Sequence, residues 1–216
     1  VSWKPADRFL SLAADSNSKH SKLSETLQVY WTQDAGVYNF DKVNRLYFIL
    51  KYAGIVFKTR KQAKNGVYCD KEWADSSFYI FRFIEKTGGI FHISGMENII
   101  SEAGPVLFIG NHMSTLETMI LPGIISPLRK VTFVVKESLV KHPLFGDVMR
   151  SRDPIVVGRT DPRKDFEAVM EGGMELLKKG ISIIIFPQST RSLEFRPEEF
   201  NSLGVKLAKK AGVKVV

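Results

Sequence analysis

Val106-Leu107-Phe108-Ile109-Gly110-Asn111-His112-Met113-Ser114-Thr115-Leu116-Glu117 passes from an apolar tetrad into a polar cluster. A second stretch repeats the arrangement: Ile181 to Ile185 is mostly apolar, and Phe186-Pro187-Gln188-Ser189-Thr190-Arg191-Ser192 follows it. A third runs from Ile155-Val156-Val157 into Gly158-Arg159. Short apolar runs that break into polar clusters read as buried strands leaving the sheet, and open α/β folds build their sites in the loops beyond such strand ends. Outward from these three (the third strand starting at Pro154), Ile90 to Ile93, Val131 to Val135 and Val213 onward are further candidate strands. Helical patterns fill the intervals, most clearly Pro162 to Lys179 and Pro197 to Ala211. The alternation predicts an α/β fold: a mostly parallel central sheet flanked by helices, with a mainly helical N-terminal extension.

The extension is expected to occupy residues 1–73. Its first 40 residues are weakly patterned and read as irregular with short helices. Asp41 is placed to cap a helix reaching about Lys58, followed by the basic run Lys58 to Lys64 and the turn signal Asn65-Gly66. A second helix is expected from about Asp75 to Gly88-Gly89. Residues 74–216 form the second unit. The chain opens at Val1 and closes on Val213-Lys214-Val215-Val216, so both ends read as cut from something longer.

Lysine and arginine total 31 against 23 acidic residues, a net charge of +8 over 216 residues. That balance suits nucleic acid, anionic lipid headgroups or an acidic carrier protein, and alone does not choose among them. No aromatic RNA-binding signature supports nucleic acid. The single Cys69 excludes an intrachain disulfide and fits a reducing compartment. His20, His92 and His142 lack metal-ligand spacing, so no metal site is expected. Gly172-Gly173 lacks the surroundings of a phosphate loop. No stretch reaches the roughly 18 to 20 apolar residues a membrane-spanning helix needs.

Histidine is the commonest general base, and a carboxylate can fix its tautomer and stabilise its protonated form. His112 and Glu117 suggest proton abstraction from a hydroxyl, and the arginines suggest an anionic substrate. Five residues along a continuous helix is a rotation of about 140°, so the pair meets only if His112 lies in the loop before the helix. Ser114-Thr115-Leu116-Glu117 matches a capping box, which makes that loop reasonable and also offers Glu117 a purely structural role. Both readings stand at this point. Arg159 and Arg191 likewise read either as phosphate ligands, for which the guanidinium fork is suited, or as solvated loop residues.

Taken together, these residues resemble the glycerolipid acyltransferase family, typified by 1-acylglycerol-3-phosphate O-acyltransferases. The family's N-H-x-x-x-x-D block reads here Asn111 to Glu117. Its G…R block reads Phe145-Gly146 through Gly158-Arg159. Its F-P-E-G-T-R-S block reads Phe186 to Ser192, and Leu203 to Val216 resembles the approach to a late apolar block. The resemblance covers roughly Gly88 to Val216. It departs from the pattern where Glu117 stands for Asp and where Gln188-Ser189 stands for Glu-Gly.

The resemblance implies transfer of a fatty acyl group from acyl-CoA or acyl carrier protein, as co-substrate rather than cofactor, to the hydroxyl of a lysophosphatidic acid-like glycerophospholipid. His112 is then the general base, Glu117 its orienting carboxylate, and Asn111, Ser114, Arg159, Gln188, Ser189, Thr190 and Arg191 contact substrate. The expected setting is the cytoplasmic side of an anionic membrane surface, held peripherally or by an anchor outside these residues, with no nucleic acid. The Phe-rich helix near Phe78 to Ile84 and the basic run Lys58 to Lys64 are the candidate docking surfaces. The alternatives are the same chemistry on another lysolipid or an aminolipid, and a lipid-binding module without catalysis.

Overall fold

A computed structural model describes residues 21–23, 29–32, 42–188 and 190–216. Four strands form a fully parallel sheet: β4 (Leu107–Ile109), β5 (Val131–Lys136), β6 (Ile155–Val157) and β7 (Ser182–Ile185), in the order β4-β7-β5-β6. The chain end joins the β4 edge. The Leu107 N–H donates to the Lys214 carbonyl at 3.0 Å and the Val216 N–H to the Leu107 carbonyl at 2.8 Å. The expected strand from Val213 is therefore a short parallel bridge at Val215.

Alternation along the pleat feeds two cores. Phe108, Val131, Phe133, Val135 and Ile184 face one, while Leu107, Ile155, Val157, Ile183 and Ile185 face the other. A sheet covered on both faces explains why its strands read as continuous apolar runs rather than alternating ones. The second core is closed by α7 (Pro162–Lys178) and α8 (Leu203–Ala211). Gly173 lets them approach: a Cβ there would stand 2.4 Å from Leu207 Cδ2. Gly173 thus serves helix packing, while Gly172 faces Ile155 of the sheet.

The first core lies under α2 (Asp70–Lys86) and α4 (Leu116–Ile125). Pro122 lies inside α4 and can donate no hydrogen bond. Beside it the Ser77 hydroxyl from α2 enters the helix ladder. It accepts the Gly123 N–H at 2.8 Å and donates to the Met119 carbonyl, the pair that would otherwise bond to each other. Gly123 permits the approach, since a Cβ there would meet the Phe78 nitrogen at 2.9 Å.

Several boundaries differ from expectation. α1 (Lys42–Lys64) runs six residues past Lys58 and stops at Asn65-Gly66, where Gly66 adopts φ +69; Asp41 lies outside the described residues. α2 starts five residues early, because the Cys69 backbone and thiol donate to Glu72 at 3.2 and 2.6 Å and close a capping box that a Cys at the N-cap disguises. The stretch from Pro197 to Ala211 is broken into a 3₁₀ turn (Pro197–Glu199) and α8. Three further short helices lie among the described residues: α3 (Glu97–Ile100), α5 (Glu137–Val140) and α6 (Gly146–Arg150).

Within the first 40 residues, the described positions are strands: β1 (Ser21–Leu23) and β2 (Val29–Thr32) pair antiparallel with β3 (His92–Ser94). Val29-Tyr30-Trp31-Thr32 is a run of strand-favouring residues whose pattern is too short to stand out. Glu85 of α2 anchors β2, accepting from the Tyr30 and Thr32 hydroxyls, while Arg82 pairs with it at 2.8 Å. Burial, then the Glu85 contact, raises the Tyr30 pKa strongly.

Much of the aromatic run in α2 is covered: Ile80, Phe81 and Phe83 are buried, Phe81 against Tyr30 and Phe91 and Phe83 against Tyr47 and Phe48 of α1, while Tyr79 stands exposed. α1 carries a run of exposed apolar side chains, Leu46, Ile49, Leu50 and Phe57. No helix among the described residues is long and apolar enough to cross a membrane.

Candidate active site

β4 and β7 are neighbours and parallel, so the loops after them leave the same end of the sheet side by side. This brings Asn111–Thr115 against Phe186–Ser192. The second loop brackets the first. Gln188 Oε1 accepts the His112 N–H, and the Ser192 N–H donates to the His112 carbonyl at 3.0 Å. The imidazole stacks on Phe186 with ring centroids 4.5 Å apart and planes 16° from parallel. Phe186 was not among the residues the sequence singled out, and its place at the strand end is the signal that could have found it.

His112 Nδ1 lies 2.7 Å from Glu117 Oε1. The same carboxylate accepts the Ser114 N–H at 2.8 Å and the Ser114 hydroxyl at 2.7 Å, and that hydroxyl accepts the Leu116 N–H at 2.9 Å. The two readings of Glu117 therefore coincide: it closes the first turn of α4 and holds the imidazole with one carboxylate. Burial alone would push the Glu117 carboxyl up. Hydrogen bonds from the Ser114 hydroxyl, from the Ser114 and Glu117 backbone and from His112 outweigh it, leaving the pKa below the usual glutamate value. An ionised carboxylate only accepts, so Nδ1 carries a hydrogen towards it, and in the neutral ring the lone pair is then on Nε2.

His112 opens on a cavity of about 640 Å³ that Arg159, Thr190 and Arg191 also line. Arg191 donates to the Thr115 hydroxyl across the two loops. Arg159 follows β6 and takes φ +60. Much of the remaining wall is apolar, with Ile55 and Val56 from α1, Ile80 from α2, Val135 from β5 and Met149 from α6. Arg152 also lines the cavity, with its guanidinium 4.9 Å from the Trp73 ring centre and paired with Asp70. Tyr68 lies buried in the same wall beside Ser76, and burial pushes its hydroxyl up to about 12.

The structure thus gathers His112, Glu117, Ser114, Arg159, Thr190 and Arg191 at one end of the sheet. Asn111 is exposed and does not line the cavity. Gln188 is 1% exposed and lies beneath the His112 loop; its Nε2 finds no acceptor among the described residues. Ser189 lies outside the described residues. Among those described, no cluster of three His, Cys, Asp or Glu is arranged to hold a metal ion.

An acyltransferase family model matches residues 90–216. A 1-acyl-sn-glycerol-3-phosphate acyltransferase of Pseudomonas aeruginosa is 31% identical over 146 residues, 68% of this chain and 54% of that protein. A chloroplastic 1-acyl-sn-glycerol-3-phosphate acyltransferase of Arabidopsis thaliana is 34% identical over 146 residues, 68% of this chain and 38% of that protein. The chain thus spans about half the length of the first relative and less of the second. The crystal structure of the 1-acyl-sn-glycerophosphate acyltransferase PlsC from Thermotoga maritima shares the fold with a TM-score of 0.52 at 22% identity, covering 80% of this chain and 67% of that one. The match over more than half of the residues, in the region that carries both bracketed loops, shows that the chain belongs to the acyltransferase family.

Proposed function

We propose that the protein transfers a fatty acyl group from acyl-CoA or acyl carrier protein to the free hydroxyl of a lysophosphatidic acid-like acceptor. The observation that carries this reading is the His112–Glu117 pair opening, with two arginines, onto one largely apolar cavity. His112 Nε2 takes the proton from the acceptor hydroxyl as its oxygen attacks the thioester carbonyl. The tetrahedral intermediate collapses, the C–S bond breaks, and the proton passes from the imidazolium to the departing thiolate. Glu117, ionised and bonded to Nδ1, stabilises the imidazolium between these steps. Arg159 and Arg191 hold the acceptor's phosphate, and the apolar wall takes an alkyl chain.

The acceptor arrives from an anionic membrane that the protein contacts peripherally on its cytoplasmic face. The exposed apolar side chains of α1 and the basic run Lys58 to Lys64 at its end support this placement. An inactive lipid-binding module is a weaker reading, because it leaves the His112–Glu117 contact without a purpose. Another lysolipid acceptor remains the second reading, favoured by the Gln188-Ser189 departure; the buried position of Gln188 argues that this residue acts on the loop rather than on a headgroup.

The test is thiol release from palmitoyl-CoA in the presence of lysophosphatidic acid. His112→Ala is expected to lower turnover by roughly 10² to 10⁴ while the protein stays folded. Release that is equal in the variant removes His112 as the base. Release that ignores the acceptor removes the acyltransfer reading.

A further inference from the structure

We propose that Asp165 is a positioning residue for the acceptor's phosphate, acting through Arg159; the proposal rests on the phosphate-binding role given above to Arg159. Two residues other than glycine take positive φ among those described, Asp153 and Arg159. An arginine gains nothing from the left-handed region, so the conformation has to be imposed from outside the residue. Asp165 supplies the constraint. One carboxylate oxygen accepts the Gly158 N–H at 2.8 Å, and the other accepts the Arg159 N–H at 2.8 Å. Two successive amides converging on one anion fix the peptide between them, and bonds to a charged acceptor are the strong kind.

Starting the helix does not require this residue. Asp161 already caps α7, accepting the Arg163 and Lys164 N–H groups at 3.0 and 3.3 Å. Asp165 stands in the first turn, where the helix dipole favours a negative charge, and spends that charge on the turn behind it. The turn so held leaves β6 at the sheet edge and places the Arg159 side chain on the cavity wall with His112, Thr190 and Arg191. Without the carboxylate the two amides lose their common acceptor, φ relaxes towards negative values, and the Cα–Cβ bond of Arg159 swings away from its present direction.

The experiment is a double-mutant cycle on the full chain. The KM for lysophosphatidic acid is measured with palmitoyl-CoA as donor. Calorimetric binding of a water-soluble short-chain lysophosphatidic acid gives a second readout independent of turnover. Asp165→Ala is expected to raise both constants roughly tenfold. Asp165→Asn, which keeps one acceptor oxygen, falls between. The palmitoyl-CoA KM stays within error, and turnover at saturating acceptor falls less than the acceptor KM rises. The double variant Asp165→Ala/Arg159→Ala binds the acceptor no more weakly than Arg159→Ala alone, because the first residue acts through the second.

Additive losses in the double variant overturn the proposal, as does a donor KM that rises together with a lowered melting temperature. If Arg159→Ala weakens the acceptor and Asp165→Ala does not, the positioning role alone falls. If Arg159→Ala itself changes neither constant, the phosphate-binding reading falls and takes this proposal with it.

Discussion

The loop that carries His112 and the loop that carries Arg191 lie side by side, yet they are held very differently. His112 is gripped through its backbone N–H, its carbonyl, its ring face and its Nδ1, by Gln188, Ser192, Phe186 and Glu117 respectively. Beyond Ser192 the second loop holds chiefly to itself. The Ser192 hydroxyl bonds to Glu194, Arg196 pairs with Glu194 and Glu199, and Leu193 stands 86% exposed. The imidazole is thus set by long-range contacts from the Phe186–Ser192 loop together with Glu117 at the start of α4, whereas the segment after Arg191 is set by short-range contacts on the surface. A proton-transfer group needs its angle fixed within a narrow range; a group that meets a headgroup arriving from outside does not.

This contrast breaks first at Glu117. Glu117→Ala removes the imidazole's partner and the Ser114 bonds together, and turnover is expected to fall by about 10² or more in the thiol-release assay. The same residue sharpens the contrast through pH. Its folded pKa lies below the unfolded value, so its contribution to stability is fully present above the unfolded carboxylate pKa and is lost as pH falls through the lowered one. Glu117→Gln should flatten that acid limb in denaturant titrations followed as a function of pH. An unchanged limb would show that the carboxylate is not held as described.

Next comes Gln188. Gln188→Ala leaves a part-buried His112 N–H without its acceptor, and stability should drop by about 1–3 kcal/mol, with turnover falling alongside. Chemical denaturation with parallel kinetics reads both; a variant that loses activity at unchanged stability would mean that Gln188 meets substrate. Arg191→Ala is milder. The acceptor KM should rise roughly tenfold while the melting temperature holds, since the side chain is exposed and one charge-assisted contact is lost. Smallest of all, Leu193→Ser with Phe195→Ser should move stability by less than about 0.5 kcal/mol. Calorimetry checks it, and a larger loss would mean that this loop is packed more firmly than its exposure indicates.

The sheet was legible because each of its strands carries an apolar run ending in a turn or a polar cluster, and because helical spacing between the runs leaves a parallel crossover as the simplest connection. Arg159, Thr190 and Arg191 were legible for the same reason: they stand where strands end. Helix starts were harder. Cys69 at the N-cap of α2 hid a capping box that a serine would have announced. Phe78 to Ile84 reads equally well as a membrane-facing or an inward-facing run, since periodicity locates an apolar face but not its partner. Gln188 was read as a substrate ligand by its place in the motif, and burial against the His112 amide is a tertiary fact that no local pattern carries. Ser77 inside the α4 ladder is of the same kind, because the hydroxyl joins the Gly123 N–H to the Met119 carbonyl from 46 residues before Gly123 in sequence.

The strand order has a consequence for how the chain acquires its site. β7 lies between β4 and β5, so the middle of the sheet is filled by the last made of its four strands. A ribosome delivers His112, its Glu117 partner and the Arg159 turn well before Phe186, Gln188 and Ser192, and the Gln188 clasp on His112 spans 76 residues. During that interval β4 and β5 have apolar flanks and unpaired backbone along a vacant central slot, the condition under which nascent chains associate wrongly. The high sequence separation of these contacts makes closure slow relative to local helix formation. The proton-handling centre is therefore completed only after β4, β5 and β6 have all been made.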